Sequence, residues 1–165
     1  MQNQGFIVIA SIILLGLFSN CKKDEDCHEQ PDPESDYIIF GHFYGMCFGE
    51  TCVEIYKIEN ENLYEDTADH YPSGNASYDG IYVPLSSAKY ELVKDLENYV
   101  PGQLLNENDT IIGIPDAYDQ GGYYLELKAS GSTRFWLIDS DTGNTPNYLH
   151  AFTDTLNNYI DRISD

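Results

Sequence analysis

Apolar and polar residues alternate over several short stretches of the chain, which is the pattern of strands with one face packed on a core. The clearest alternation places Tyr123, Leu125 and Leu127 on one face of a strand, and residues 129–132 are expected to form a hairpin turn to a partner strand. Other stretches rich in β-branched and aromatic residues predict further strands. The strands predicted in this way cover residues 37–44, 52–58, 62–67, 122–128 and 134–139, with a short strand or turn at 80–83.

Two segments carry apolar residues at helical spacing. The first helix is expected to begin after Ser86 or Ser87 as its N-cap and to end before Pro101. The second is predicted with Thr145 as its N-cap and Pro146 at its first helical position. The apolar stripes consist of Leu92, Val93, Leu96 and Val100 in the first helix and of Leu149, Phe152, Leu156, Tyr159, Ile160 and Ile163 in the second. The order strands, helix, strands, helix predicts an α+β fold, with one or two antiparallel sheets covered by two helices.

The first 20 residues contain no Asp, Glu, Lys or Arg, and residues 6–18 are almost wholly apolar. A helix of that length would span about 20 Å, which is short of the roughly 30 Å hydrocarbon core of a bilayer. The stretch is therefore predicted to be the apolar region of a secretory signal peptide and not a membrane-spanning helix.

The apolar stretch ends at residues 17–21 in Leu-Phe-Ser-Asn-Cys, which resembles the lipobox of bacterial lipoproteins. The resemblance implies cleavage before Cys21 and attachment of a diacylglycerol thioether and an amine-linked acyl chain to it. Lys22 and Lys23, with the acidic residues after them, resemble the surface-export signal of lipoproteins of the Bacteroidetes group. The alternative interpretation is an ordinary signal peptide that happens to be followed by a cysteine.

These features predict three parts, namely a signal peptide at 1–20, an acidic flexible tether at 21–36 and a single globular domain at 37–165. With 8 Lys and Arg against 28 Asp and Glu, the formal net charge is -20. Such a charge repels phosphates, so no nucleic-acid partner is expected, and the acyl chains on Cys21 must supply the membrane anchoring. We expect an outer-membrane, lipid-anchored protein on either the periplasmic or the cell-surface face.

Three further cysteines would then lie in an oxidising compartment. Cys47 and Cys52 are separated by four residues between two predicted strands, and a disulfide between them would close a hairpin connection. The alternative is a metal site formed by His42 with the same two cysteines, although zinc prefers four ligands at recognisable spacing. Cys27 lies in the tether, either free or paired with one of the other two.

Residues 139–144, Asp-Ser-Asp-Thr-Gly-Asn, resemble the start of a calcium-binding loop. Asp139 and Asp141 are therefore candidate calcium ligands. The closing Glu of such a loop is missing, because the twelfth residue is His150. The alternative is that these side chains cap the helix that follows, and we predict no other cofactor.

Two threonines lie in short segments that resemble the acceptor of O-glycosylation in exported proteins of the Bacteroidetes group. Thr67 and Thr110 each follow an Asp and precede an apolar residue, in surroundings that are predicted to be loops. The resemblance implies that both are candidate glycosylation sites.

No motif of a metalloprotease, a serine hydrolase, a nucleotide-binding loop or a dinucleotide-binding fold occurs, which favours a protein without catalytic activity. We therefore predict a binding or interaction domain whose ligand is a glycan or an envelope protein. Its anchors would be those tyrosines that are exposed, whereas the favoured alternative for most of them is that they fill half-exposed sheet faces. The candidates are Tyr56, Tyr64, Tyr71, Tyr78, Tyr82, Tyr118 and Tyr124.

Two alternatives to this function stay open. The order of elements over residues 90–163 resembles that of the emfourin-type inhibitors of metalloproteases, and the resemblance implies a proteinaceous protease inhibitor. A small envelope enzyme of unknown class is the other alternative.

Overall fold

The computed structural model describes residues 36–164. The predictions for Cys21, Cys27 and the two leading segments therefore concern residues outside the described part. The strands are β1 Tyr37–Phe43, β2 Val53–Glu59, β3 Asn62–Asp66, β4 Tyr82–Pro84, β5 Ile111–Ile112, β6 Gly122–Ala129 and β7 Ser132–Asp139, and the α-helices are α1 Ser87–Val93 and α2 Asn147–Ile163. Within the described residues, the strands form one sheet of seven in the order β4-β3-β2-β1-β6-β7-β5.

Strand β1 lies at the centre of this sheet and pairs antiparallel with β2 and β6. The register places Phe40 opposite Tyr56 on one side and opposite Leu125 on the other, so three large side chains meet on one face. Strand β5 runs parallel to β7, where Ile111 pairs with Leu137. The prediction of an α+β fold with an antiparallel sheet, two helices and the order strands, helix, strands, helix is confirmed.

The helices cover the face of the sheet that contains Phe40, and the main hydrophobic core lies between them. Tyr123, Leu125 and Leu127 share this face, as their alternation predicted, with Leu125 fully buried. The apolar stripe of α2 also packs here, because its residues recur every three or four positions. The buried residues that α2 contributes include Leu149, Phe152, Leu156, Ile160 and Ile163.

The opposite face of the sheet has its own smaller core, which the sequence pattern did not predict. Ile39, Ile55 and Tyr124 are buried there, and Tyr78 from the long connection between β3 and β4 packs against them. This connection is a loop. It nonetheless covers apolar surface, so both faces of the central strands are buried.

Both helix boundaries differ from the prediction. Helix α1 begins after Ser86, whose hydroxyl accepts a hydrogen bond from the backbone N–H of Lys89, but it ends at Val93 and a separate 3-10 turn follows at Leu96–Tyr99. In α2, Pro146 is the N-cap and not the first helical residue, because its ψ of 141° is extended. Thr145 is extended too and lies outside the helix, so the predicted cap at Thr145 is wrong.

Among the described residues, no helix combines the length and apolar character that crossing a bilayer requires.

Candidate functional site

The connection between β1 and β2 is closed by a disulfide. Cys47 and Cys52 are bonded, with their Cα atoms 5.5 Å apart, and the prediction of this pair is confirmed. The backbone N–H of Tyr44 also donates a hydrogen bond to the carbonyl of Cys52, at 2.8 Å. The alternative metal site with His42 is excluded in this state, because sulfurs bonded to each other are not thiolate ligands.

Large apolar side chains project from this connection and from the two segments beside it. Phe48 is 100% exposed, Tyr118 is 81% exposed and Met46 is 76% exposed. Tyr44 and Tyr71 are exposed to a smaller extent. We call these five side chains the loop surface. Single exposed apolar residues are ordinary on proteins, but five grouped on neighbouring segments are typical of an interaction site.

Contacts around Gly45 show that the three segments of the loop surface meet. A Cβ at Gly45 would lie 2.2 Å from a carboxylate oxygen of Asp116 and 3.6 Å from the ring of Tyr71. A Cβ at Gly121 would lie 2.4 Å from the ring of Tyr44, and the φ of Gly121 is +76°, which other residues rarely adopt. Position 121 therefore requires glycine, whereas a side chain at Gly45 would require Asp116 to move.

Asp116 joins two of these segments through hydrogen bonds. The hydroxyl of Tyr71 donates to its Oδ2 at 3.0 Å, and the backbone N–H of Gly121 donates to its Oδ1 at 3.0 Å. Burial raises the pKa of Tyr71, and the hydrogen bond to Asp116 raises it further, to about 12. Tyr71 also meets Phe43 edge to face, with ring centroids 5.0 Å apart. The loop surface is thus held on a fixed scaffold rather than on free loops.

The loop surface is strongly acidic in its surroundings. Residues 43–53, 69–79 and 113–121, which carry it, contain no Lys or Arg. Asp116 and Asp119 flank Tyr118 within the same turn. An apolar patch with this rim is complementary to an apolar pocket edged by basic side chains.

The seven candidate tyrosines divide by burial. Tyr71 and Tyr118 are exposed, as an anchor must be. Tyr56 and Tyr124 are fully buried and fill the sheet faces, which is the alternative for these residues. Tyr56 packs in the main core and donates to Glu54 at 2.7 Å, whereas Tyr124 lies beneath the β3–β4 connection and donates to Glu126. The half-buried members of the set are Tyr64, Tyr78 and Tyr82.

Sequence reasoning missed Met46 and Phe48, two of the three most exposed side chains of the loop surface. They follow no helical or strand period. The available signal was two large apolar residues between Gly45 and Gly49, in a connection closed by a predicted disulfide. A hairpin connection of that length does not bury its tip, so apolar residues there are exposed.

The two candidate calcium ligands both accept hydrogen bonds from nearby groups, and calcium binding by them stays a prediction. The Asp139 carboxylate accepts hydrogen bonds from the backbone N–H groups of Ile114 and Asp141 and from the side-chain amides of Gln120 and Asn144, at 2.8–3.0 Å. Burial opposes ionisation of Asp139, but these four donors outweigh it and lower its pKa.

Asp141 accepts from the N–H of Gly143 at 2.8 Å. It thereby caps the single 3-10 turn Thr142–Asn144 and not helix α2. Throughout residues 36–164, no group of three or more His, Cys, Asp or Glu side chains is placed to hold a metal ion.

The candidate glycosylation sites lie apart from the loop surface residues. Thr67 is exposed just after β3, and its hydroxyl donates to the carbonyl of Ile81 at 3.0 Å. Thr110 is half-buried, and its hydroxyl donates to the carbonyl of Gly74 at 3.3 Å. Modification of either residue stays a prediction.

No protein-family model matches the chain, and no curated protein matches its sequence. The function is therefore inferred from the geometry of the described residues.

Proposed function

We propose that the protein is a lipid-anchored outer-membrane protein with a non-catalytic interaction domain, and that its loop surface binds another envelope protein. The observation that carries this proposal is Phe48, which is fully exposed in a connection closed by the Cys47–Cys52 disulfide. Exposing a phenyl ring to water costs free energy that binding recovers. A side chain on a constrained loop also loses less conformational entropy when it binds.

The partner surface follows from the chemistry of the loop surface. Aromatic anchors contribute most when they fill a pocket that excludes water. The acidic rim at Asp116 and Asp119, together with a net charge of -20, favours a partner whose pocket is edged by Lys or Arg. A protein presents such a pocket, whereas an anionic lipid surface would repel this rim.

Anchoring at Cys21 would leave the domain within reach of neighbouring envelope proteins. A fully extended tether of residues 21–36 spans at most about 50 Å. Multiple acyl chains hold a protein at a membrane stably, while one chain does not. Intact-mass measurement of the protein from membrane fractions tests this part, and an unmodified Cys21 or a retained leader contradicts it.

The loop surface is tested with the full acylated protein in its own envelope. A photo-crosslinking residue at position 48 is compared with the same residue at position 81, because Ile81 is also a large exposed side chain, at 65%. We expect a defined protein adduct from position 48 only. Equal adducts from both positions, or adducts to lipid alone, contradict the proposal.

Affinity for the protein identified by this crosslink gives the matched measurement. Phe48→Ser is expected to weaken binding by about tenfold or more, which is typical of an aromatic anchor. Ile81→Ser removes comparable exposed apolar area elsewhere and is expected to leave the affinity unchanged. Added salt should slow association, since charges at the rim steer the encounter.

Protease inhibition is the second candidate function. A loop that is closed by a disulfide and projects Phe48 has the form of a segment that a protease cleft with an apolar subsite can bind. The emfourin-like order of elements at 90–163 is a separate reason for the same test. Inhibition of thermolysin-like proteases that is lost in Phe48→Ser would support this function, and no inhibition at micromolar concentration would refute it.

A further inference from the structure

A cavity of about 460 Å³ lies at the opposite end of the strands from the loop surface. Ile38, Ile58 and Leu127 line it from three neighbouring strands, because the register places Ile38 opposite both of the others. Trp136 from β7 and Tyr90 from α1 complete its apolar lining. This volume is in the range of pockets that enclose a small organic ligand.

Trp136 is the largest side chain of this lining. It is 0% exposed, and its indole Nε1 is buried without a hydrogen-bond partner among the described residues. Because no water-sized group reaches this nitrogen, an acceptor in the cavity does not bond to it. Trp136 therefore acts here as apolar packing and not as a donor.

The cavity also gathers cations in an acidic protein. Lys94, Lys128 and Arg134 line it. The Arg134 guanidinium donates to the backbone carbonyls of Leu105 and Glu107, which are neutral acceptors. Its central carbon lies 5.0 Å from the centroid of the Trp136 ring. The positive charge of Arg134 therefore lies over the buried indole ring.

Three acidic residues also line the cavity. Two of them bind groups that do not line it. Asp36 accepts a hydrogen bond from the backbone N–H of Ser130 at 2.8 Å. Glu59 lies 3.0 Å from the ammonium group of Lys57. The third is Glu97. The carboxylates of Asp36 and Glu59 are thus engaged by groups other than Arg134.

We propose that this cavity binds a small amphipathic carboxylate. The apolar body of the ligand lies against Ile38, Ile58 and Leu127, and its carboxylate accepts hydrogen bonds from the Arg134 guanidinium. Charge-assisted bonds of this kind favour a carboxylate over a neutral group of the same size. The proposal does not depend on the loop surface, because the two sites lie at opposite ends of the strands.

The protein contains a single Trp, so tryptophan emission, excited at wavelengths where the 14 Tyr do not absorb, reports on this cavity alone. The probes are octanoate and 3-phenylpropionate, with 1-octanol and octylamine as matched neutral and cationic compounds. We expect saturable changes with the two carboxylates, at least about tenfold weaker binding of the alcohol and none of the amine. No change with either carboxylate at millimolar concentration, or equal binding of the alcohol, would overturn the proposal.

Variants identify the cation that acts. Arg134→Gln is expected to weaken octanoate binding by about tenfold, measured by calorimetry, because the charge-assisted bond is lost. Arg162→Gln removes the same charge at a residue that does not line the cavity and should leave the affinity unchanged. Equal effects of the two variants would show general electrostatic attraction and overturn the assignment.

Arg134 also holds two backbone carbonyls, so a second variant avoids that role. Lys94 pairs with Glu91 at the surface, at 2.7 Å with both side chains about half exposed, and Lys94→Gln should leave the fold intact. We expect it to weaken octanoate binding by about threefold through loss of a nearby charge. An unchanged affinity in both Lys94→Gln and Arg134→Gln would refute the cationic site, whereas Phe48→Ser should leave octanoate binding unaffected.

Discussion

The two ends of the strands solve the problem of chain reversal in different ways. At the cavity end, β2–β3 and β6–β7 turn within two residues each, Asn60–Glu61 and Ser130–Gly131, all with positive φ. Such turns match the twist of a hairpin and expose little apolar surface. At the other end, the β1–β2 connection is long, is closed by the Cys47–Cys52 disulfide and projects Phe48.

This difference shows where the molecule can bind and by what chemistry. Short turns leave a concave space behind them, which Lys94, Lys128 and Arg134 line. A long constrained connection forms a convex apolar tip with an acidic rim. One end is thus suited to a small anion and the other to a protein surface, although the same strands connect them.

Both ends of the strands share the strand core, where a substitution is expected to lower stability the most. Phe40 is fully buried at the centre of β1, and its ring centroid lies 5.8 Å from that of Tyr56. Phe40→Ala is expected to lower the free energy of unfolding by about 3–5 kcal/mol, through lost burial and a residual cavity. Urea denaturation measures this, with Phe48→Ala as the exposed control at about 0.5 kcal/mol or less. A small loss for Phe40→Ala would contradict the packing described.

The connection over the second sheet face gives the next largest effect. Buried Asp66 accepts from the hydroxyl of Tyr78 and the backbone N–H of Ile81, both at 2.6 Å, and from the N–H of Asp69 at 3.0 Å. Asp66→Ala leaves these donors without their acceptor and is expected to cost about 3 kcal/mol. Urea denaturation, with faster hydrogen exchange across residues 67–81, checks this. Exposed Asp79→Ala is the control, and an equal cost in both variants would refute the role of Asp66.

The disulfide should contribute less, and mainly at one end. The double variant Cys47→Ser with Cys52→Ser is expected to lower stability by about 2 kcal/mol, because the closed loop is short. It should also reduce crosslinking from position 48 while leaving octanoate binding at the other end intact. Loss of octanoate binding in this variant would show that the two ends are coupled and not independent.

The smallest effect concerns the titration of Tyr71 beside the loop surface. Its pKa is raised from 10.0 to about 12, by burial first and then by Asp116. Between these values the unfolded chain loses this proton while the folded chain keeps it, so stability holds below about pH 10 and falls as the pH rises toward 12. Denaturation across this range, with tyrosinate absorbance as a second readout, measures the loss.

Tyr71→Phe should make this alkaline loss smaller but not abolish it. Burial also raises the pKa of Tyr37, Tyr56 and Tyr124. These tyrosines contribute to the same loss in the variant. An identical pH dependence in the wild type and in Tyr71→Phe would contradict a contribution from Tyr71.

Local sequence patterns predicted most of the helices and strands and one disulfide. Alternation at Tyr123, Leu125 and Leu127 marked β6 and its core face, because side chains of a strand alternate between faces. The spacing of Cys47 and Cys52 between two strands was sufficient for their disulfide. The boundary at Thr145 and Pro146 was wrong, since the ψ of a proline is free to be extended and its position in a helix is not set by φ alone.

The fold class follows from the periodicity of apolar residues, and the acidic character follows from composition. The short spacing of Cys47 and Cys52 between two strands favours their disulfide over the alternatives. Only the tertiary structure decided that Tyr56 and Tyr124 are buried while Phe48 is not, and that Arg134 lies over Trp136 beside a cavity. Each of these features depends on segments that are distant along the chain. Their physical basis is the packing of one segment over another, which no local pattern encodes.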